Sequence, residues 1–166
     1  MFSRSDLDEL VAMDARPAVS IYLPTHVAGR EIRQDPIRLK NLLSSAAERL
    51  AAEWRRPEIE DFLGPAELLV GDEEFWRHQQ QGLAVFLATG FNRTHKLPIP
   101  VPEEALLGDH FHIKPLLPLF EDAGSFWLLT ITAKHTRLYH GSRWKFSENK
   151  EIDLQTGETR DKKPAA

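Results

Sequence analysis

Apolar positions recur along this chain at two periods, and the change between them separates helical from extended segments. Leu7, Leu10 and Val11 form an apolar stripe at helical spacing, with Ser5 the expected cap and Asp8 three residues on. Pro17 ends that segment. Val19-Ser20-Ile21-Tyr22-Leu23 then alternates at period two, the pattern of a half-buried strand, and Pro24 stops it. A loop rich in His and Arg, residues 25–34, leads to the clearest helix. Asp35 is the expected N-cap, and Pro36 suits the first helical position because its missing N–H has no partner to lose there. Leu39, Leu43, Ala46, Leu50 and Trp54 follow at helical spacing, opposite Arg38, Ser45, Glu48 and Arg49. Pro57 closes the helix, and residues 58–80 read as a broken helical stretch interrupted at Gly64-Pro65 and Gly71.

Leu83-Ala84-Val85-Phe86-Leu87 has no polar phase and predicts a strand buried on both faces. A turn at Gly90-Phe91-Asn92 leads to a second strand near residues 93–100, whose prolines suit a sheet edge. Residues 112–120 carry enough leucine for a short helix, with Pro115 and Pro118 near its ends or at a kink. Past a turn at Asp122-Ala123-Gly124 the pattern becomes β, with strands expected at 126–132, 136–140 and 143–147. The elements predict an α/β (α+β) class: a mixed sheet packed on helices over residues 1–122, then an antiparallel β-meander over 125–154. A disordered polar tail is expected over 155–166.

Composition narrows the chemistry. The 166 residues contain no cysteine, which excludes thiol catalysis and thiolate metal sites. No signal-peptide pattern opens the chain, and its apolar runs are too short to cross a bilayer, so a soluble, cytoplasmic protein with no membrane partner is expected. A net charge of −4 argues against a general polyanion binder but leaves room for a local basic face. That face is expected where His26, Arg30, Arg33 and Arg38 crowd a helix N-terminus, whose free N–H groups and macrodipole favour an anion or an RNA backbone. The bland reading is a solvated basic loop balanced by Glu31 and Asp35. His110 and His112, near Glu103, Glu104 and Asp109, form the one metal-like cluster; without a second ligand pair they read as ordinary surface groups. No nucleophile–base motif and no phosphate-binding glycine loop occurs, so no catalytic residue, metal or cofactor is expected. Trp54, Trp76, Trp127 and Trp144 read as packing residues.

Several blocks together carry a family resemblance. They are Val19-Ser20-Ile21-Tyr22-Leu23-Pro24-Thr25 with Gly29-Arg30, and Gln34-Asp35-Pro36-Ile37-Arg38-Leu39-Lys40-Asn41-Leu42-Leu43. Asp72-Glu73-Glu74-Phe75-Trp76-Arg77-His78-Gln79 and Gln81-Gly82-Leu83-Ala84-Val85-Phe86 continue them. Asp109-His110-Phe111-His112-Ile113-Lys114-Pro115-Leu116-Leu117 and Phe126-Trp127-Leu128-Leu129-Thr130-Ile131-Thr132 through Leu138-Tyr139-His140-Gly141 complete the set. In order and spacing the chain resembles the bacterial relatives of archaeal and eukaryotic class 1 peptide-chain release factors. The resemblance implies an N-terminal α/β domain followed by the opening strands of an incomplete RNase H-like middle domain.

Two departures shape what the resemblance implies. Where that family carries the codon-reading Asn-Ile-Lys-Ser motif, this chain reads Glu31-Ile32-Arg33-Gln34, which keeps an apolar and a basic residue but loses Asn and Ser. Where the hydrolytic Gly-Gly-Gln loop follows the strands, it offers Gln155-Thr156-Gly157-Glu158-Thr159-Arg160. The expectation is therefore a non-catalytic, translation-associated module that meets ribosome or tRNA through the Arg-rich loop. The alternatives are a protein-interaction or assembly module without nucleic acid, and a fragment of a longer peptidyl-tRNA hydrolase. Strands rich in Trp and Phe without their covering helices imply a homodimer through the C-terminal strands.

Overall fold

A computed structural model describes residues 2–120, 126–133, 135–141, 146–153, 156 and 159–161. The expected turn at 122–124, the position of Trp144 and the end of the tail lie outside the described residues. The chain divides into two compact units, 1–118 and 119–166.

The first unit is built on a four-stranded sheet. Helix α1 (Arg4–Ala12) opens it, capped not by Ser5 but by Ser3. Ser3 accepts from the Asp6 backbone N–H at 3.2 Å and donates its own N–H to Asp6 at 2.7 Å, a reciprocal box that fixes the start two residues early. Strand β1 (Ala18–Pro24) follows, then helices α2 (Asp35–Leu50), α3 (Arg56–Val70) and α4 (Glu73–Arg77). Strands β2 (Gly82–Ala88), β3 (Phe91–Leu97) and β4 (Glu104–Gly108) complete the order β3-β2-β1-β4. Every pairing is antiparallel, which corrects the expected mixed sheet. The long return through α2–α4 brings β2 back beside β1 head to tail, and β4 adds to the other edge of β1. The α+β class stands.

The alternation of β1 and β2 is filled from both sides. Val19, Ile21 and Leu23 face Leu87, Val85 and Leu83 in register, and onto that face pack Leu39, Leu43, Ala46 and Leu50 of α2. Ile59, Leu63 and Ala66 of α3 and Trp76 of α4 complete this layer. On the opposite face Tyr22 and Phe86 are fully buried, with Phe111 5.4 Å from the Phe86 ring and Phe2 edge-on to His95 at 4.9 Å. Gly82 is required where it stands: a Cβ there would lie 2.6 Å from the Ile99 carbonyl oxygen.

Helix α3 runs unbroken from Arg56 to Val70 with Pro65 inside it, where an interruption is expected from the sequence. Ile59, Leu63 and Ala66 keep one buried stripe across the proline, and that burial outweighs the lost hydrogen bond. Residues 114–119 form a 3₁₀ segment rather than an α-helix.

The second unit is a meander of β5 (Phe126–Ile131), β6 (His135–Gly141), β7 (Phe146–Asp153) and β8 (Thr159–Asp161), paired antiparallel in chain order. The third strand is described from 146 and runs through 153; its expected start at 143 lies outside the described residues. Residues 159–161, expected in a disordered tail, pair with β7.

Candidate functional site

The loop between β1 and α2 holds all four residues singled out from the sequence, and the structure divides them into two pairs. After Pro24 the chain turns through Gly29, at φ 105°, into a 3₁₀ turn at Arg30–Arg33. The turn runs directly into α2, whose N-cap is Gln34; its N–H is already taken by the Glu31 carbonyl at 2.8 Å. Asp35 is therefore the first helical residue, not the cap. Its side chain turns inward, fully removed from solvent.

A buried carboxylate needs compensation for its lost hydration, and Asp35 finds it within the loop. One oxygen accepts from the His26 backbone N–H at 2.9 Å. The other lies 2.9 Å from His26 Nδ1 and accepts from Arg38 Nη1 at 3.3 Å. Arg38 donates further to the Pro24 carbonyl at 3.1 Å, and its Nη2 and Nε reach Glu103 Oε2 at 2.6 and 3.0 Å. These bonds to Glu103, ahead of the neighbouring charge of Asp35, raise the guanidinium's pKa further above its ordinary value. The cluster ties the end of β1, the start of α2 and the approach to β4 into one rigid corner. His26 Nε2 also faces Glu31 at 4.0 Å.

Two of the four expected anion ligands are thus engaged in holding the loop. The positive end of α2 already has its own anion, the Asp35 carboxylate, so an external anion does not compete for that position. Arg30 and Arg33 differ: both are exposed on the 3₁₀ turn, and neither side chain is paired among the described residues. The local arrangement is two exposed, unpaired cations on a turn that the Asp35 cluster holds in place.

The His110–His112 segment does not form the strand that would bring two imidazoles to one face. Phe111 is buried under the sheet, the His112 N–H donates to Ser20 Oγ at 2.9 Å, and Tyr22 donates its hydroxyl to the His112 carbonyl. Burial, with a smaller contribution from Glu104, pushes the Tyr22 hydroxyl far above its ordinary pKa, so it stays a donor. Glu103, nearby in sequence, is committed to Arg38. Among the described residues no group of three His, Asp or Glu converges as a metal site, and no helix is long and apolar enough to cross a membrane.

No family model matches the sequence, and no curated protein matches it. Solved structures similar in fold include the following two. An archaeal protein superposes with a TM-score of 0.50 at 17% identity, covering 89% of this chain and 43% of its own. An archaeal translation termination factor gives 0.49 at 15% identity, covering 89% and 42%. The chain spans less than half the length of either, and the likeness at these identities concerns the fold alone.

Proposed function

We propose that the chain is a non-catalytic, translation-associated module that meets the RNA backbone of ribosome or tRNA through Arg30 and Arg33. The observation that carries this reading is the pair of unpaired, exposed guanidiniums on a turn locked by Asp35, in a chain of net charge −4. The release-factor resemblance of the sequence blocks, which places this turn where that family has its codon-reading motif, supports the same surface. Two phosphate contacts give weak binding whose logarithm falls against log salt with a slope of about 1.5–2. Removing both charges, Arg30→Ala with Arg33→Ala, is expected to abolish co-sedimentation with ribosomes and the salt dependence together. Unchanged co-sedimentation of the double variant would reject the reading.

A second reading rests on the second unit. Phe126, Trp127, Leu129 and Ile131 of β5 are half or more exposed, and β5 lies at one end of its sheet. An edge strand with apolar side chains is a template for pairing, and a homodimer through this strand is the assembly it favours.

A further inference from the structure

Away from the Arg-bearing loop, a cavity of about 680 Å³ opens between the segment after α2, the first half of α3 and the β2–β3 turn. That volume is in the range of small-molecule sites. Its walls include three aromatic side chains, Trp54, Phe62 and Phe91, each only half buried. Trp54 and Phe62 meet edge to face at 5.2 Å and 84°, so they do not stack shut and ring surface stays open.

Three carboxylates, Glu53, Glu58 and Asp61, stand among these rings. Arg55 takes Glu58 by a 3.0 Å pair, and its bonds hold that carboxyl below its ordinary pKa. The next cation, Arg56, is spent on Glu60 at 2.7 Å, outside the cavity lining. Glu53 and Asp61 are left without an ion pair among the described residues. No lysine or arginine lines the cavity.

Aromatic surface and unpaired carboxylates together select an organic cation over an anion, a neutral apolar molecule or a hydrated metal ion. The rings attract the charge through their quadrupoles and cover an alkyl stem; the carboxylates take the N–H donors. The chain already uses one of these rings this way from outside: the Arg93 guanidinium lies 4.7 Å over Phe91. We propose that this cavity binds a small alkylammonium ligand, with its stem on Trp54 and Phe62 and its ammonium groups at Glu53 and Asp61. The site is separate from Arg30 and Arg33 and does not rest on the RNA reading.

The probe is butane-1,4-diamine, titrated at constant ionic strength while the Trp54 indole and Gly90 amide resonances are followed by NMR. Trp54→Phe identifies the indole signal. Butane-1,4-diol serves as the uncharged isostere and sodium chloride as the charge control. Saturable shifts with the diamine alone are expected, and Glu53→Gln with Asp61→Asn should weaken them about tenfold. Both substitutions are at exposed positions, so the spectrum of the folded chain should otherwise be retained. Equal response to the diol, no saturation with the diamine, or full affinity in the double variant would each overturn the proposal.

Discussion

A carboxylate without water must have its lone pairs filled by the protein, and Asp35 fills them from His26 and Arg38. Asp35→Asn keeps the shape but removes the charge that Arg38 and the His26 donors surround, and it turns one acceptor into a donor facing another N–H. Such a change in a buried pair costs about 3 kcal/mol. Glu103→Gln, at the solvent end of the same cluster, should cost under about 1 kcal/mol, because water screens that pair. Urea unfolding of the two variants checks the ratio; equal losses would show that Asp35 is not the keystone of the loop. At this scale the sequence singled out four residues of one loop but could not divide their work. The partner that claims Arg38 is Glu103, 65 positions away, and no local pattern announces a pairing across that separation.

Among the elements, β3 carries a pH-sensitive side chain. His95 lies on the Tyr22 face of the sheet, opposite Ala84 in register, with Phe2 against its ring and Phe86 6.3 Å away. Burial, the largest influence, depresses its pKa below 6.5, against the opposing charge of Asp6. The unfolded chain therefore binds the proton more readily than the folded one. The stability His95 contributes is present above pH 6.5 and is lost as pH falls through the lowered value. Urea midpoints measured between pH 7.5 and 5 should fall in the parent and fall less in His95→Gln; parallel curves would remove His95 as the cause. Asp6, held below its ordinary range chiefly by the Ser3 side-chain bond, acts in a more acidic window and does not imitate this effect. What was legible of the elements followed their periodicity. Helix α2 and strands β1 and β2 announce themselves because burial on one or both faces leaves an uninterrupted pattern. Strand β4 was missed: its five residues have a weak alternation and gain their state from pairing with β1, more than 80 positions earlier. Helix α3 read as broken because the proline rule is local, whereas the stripe that sustains the helix spans both sides of Pro65.

At the scale of the molecule, the first unit is closed and the second is not. The sheet of the first unit has both faces of β1 and β2 buried. In the second unit β5 keeps Trp127 58%, Leu129 54% and Ile131 68% exposed, all three on one face of the strand by alternation. Among the described residues Trp127 meets the His140 ring of the neighbouring strand, at 4.5 Å. Covering what remains exposed of each such side chain contributes about 1–2 kcal/mol, which favours pairing two copies through this face. The expected outcome is a dimer whose mass, measured by light scattering, falls to that of the monomer on dilution. Because Leu129 is exposed in the single chain, Leu129→Lys should leave the thermal unfolding of the monomer nearly unchanged while placing a charge inside the contact. Its dissociation constant should rise by at least about tenfold, the effect of losing one buried leucine and desolvating an ammonium group. A parent that is monomeric at every accessible concentration rejects the dimer. If the parent dimerises and Leu129→Lys dimerises equally well, the contact lies elsewhere on the chain.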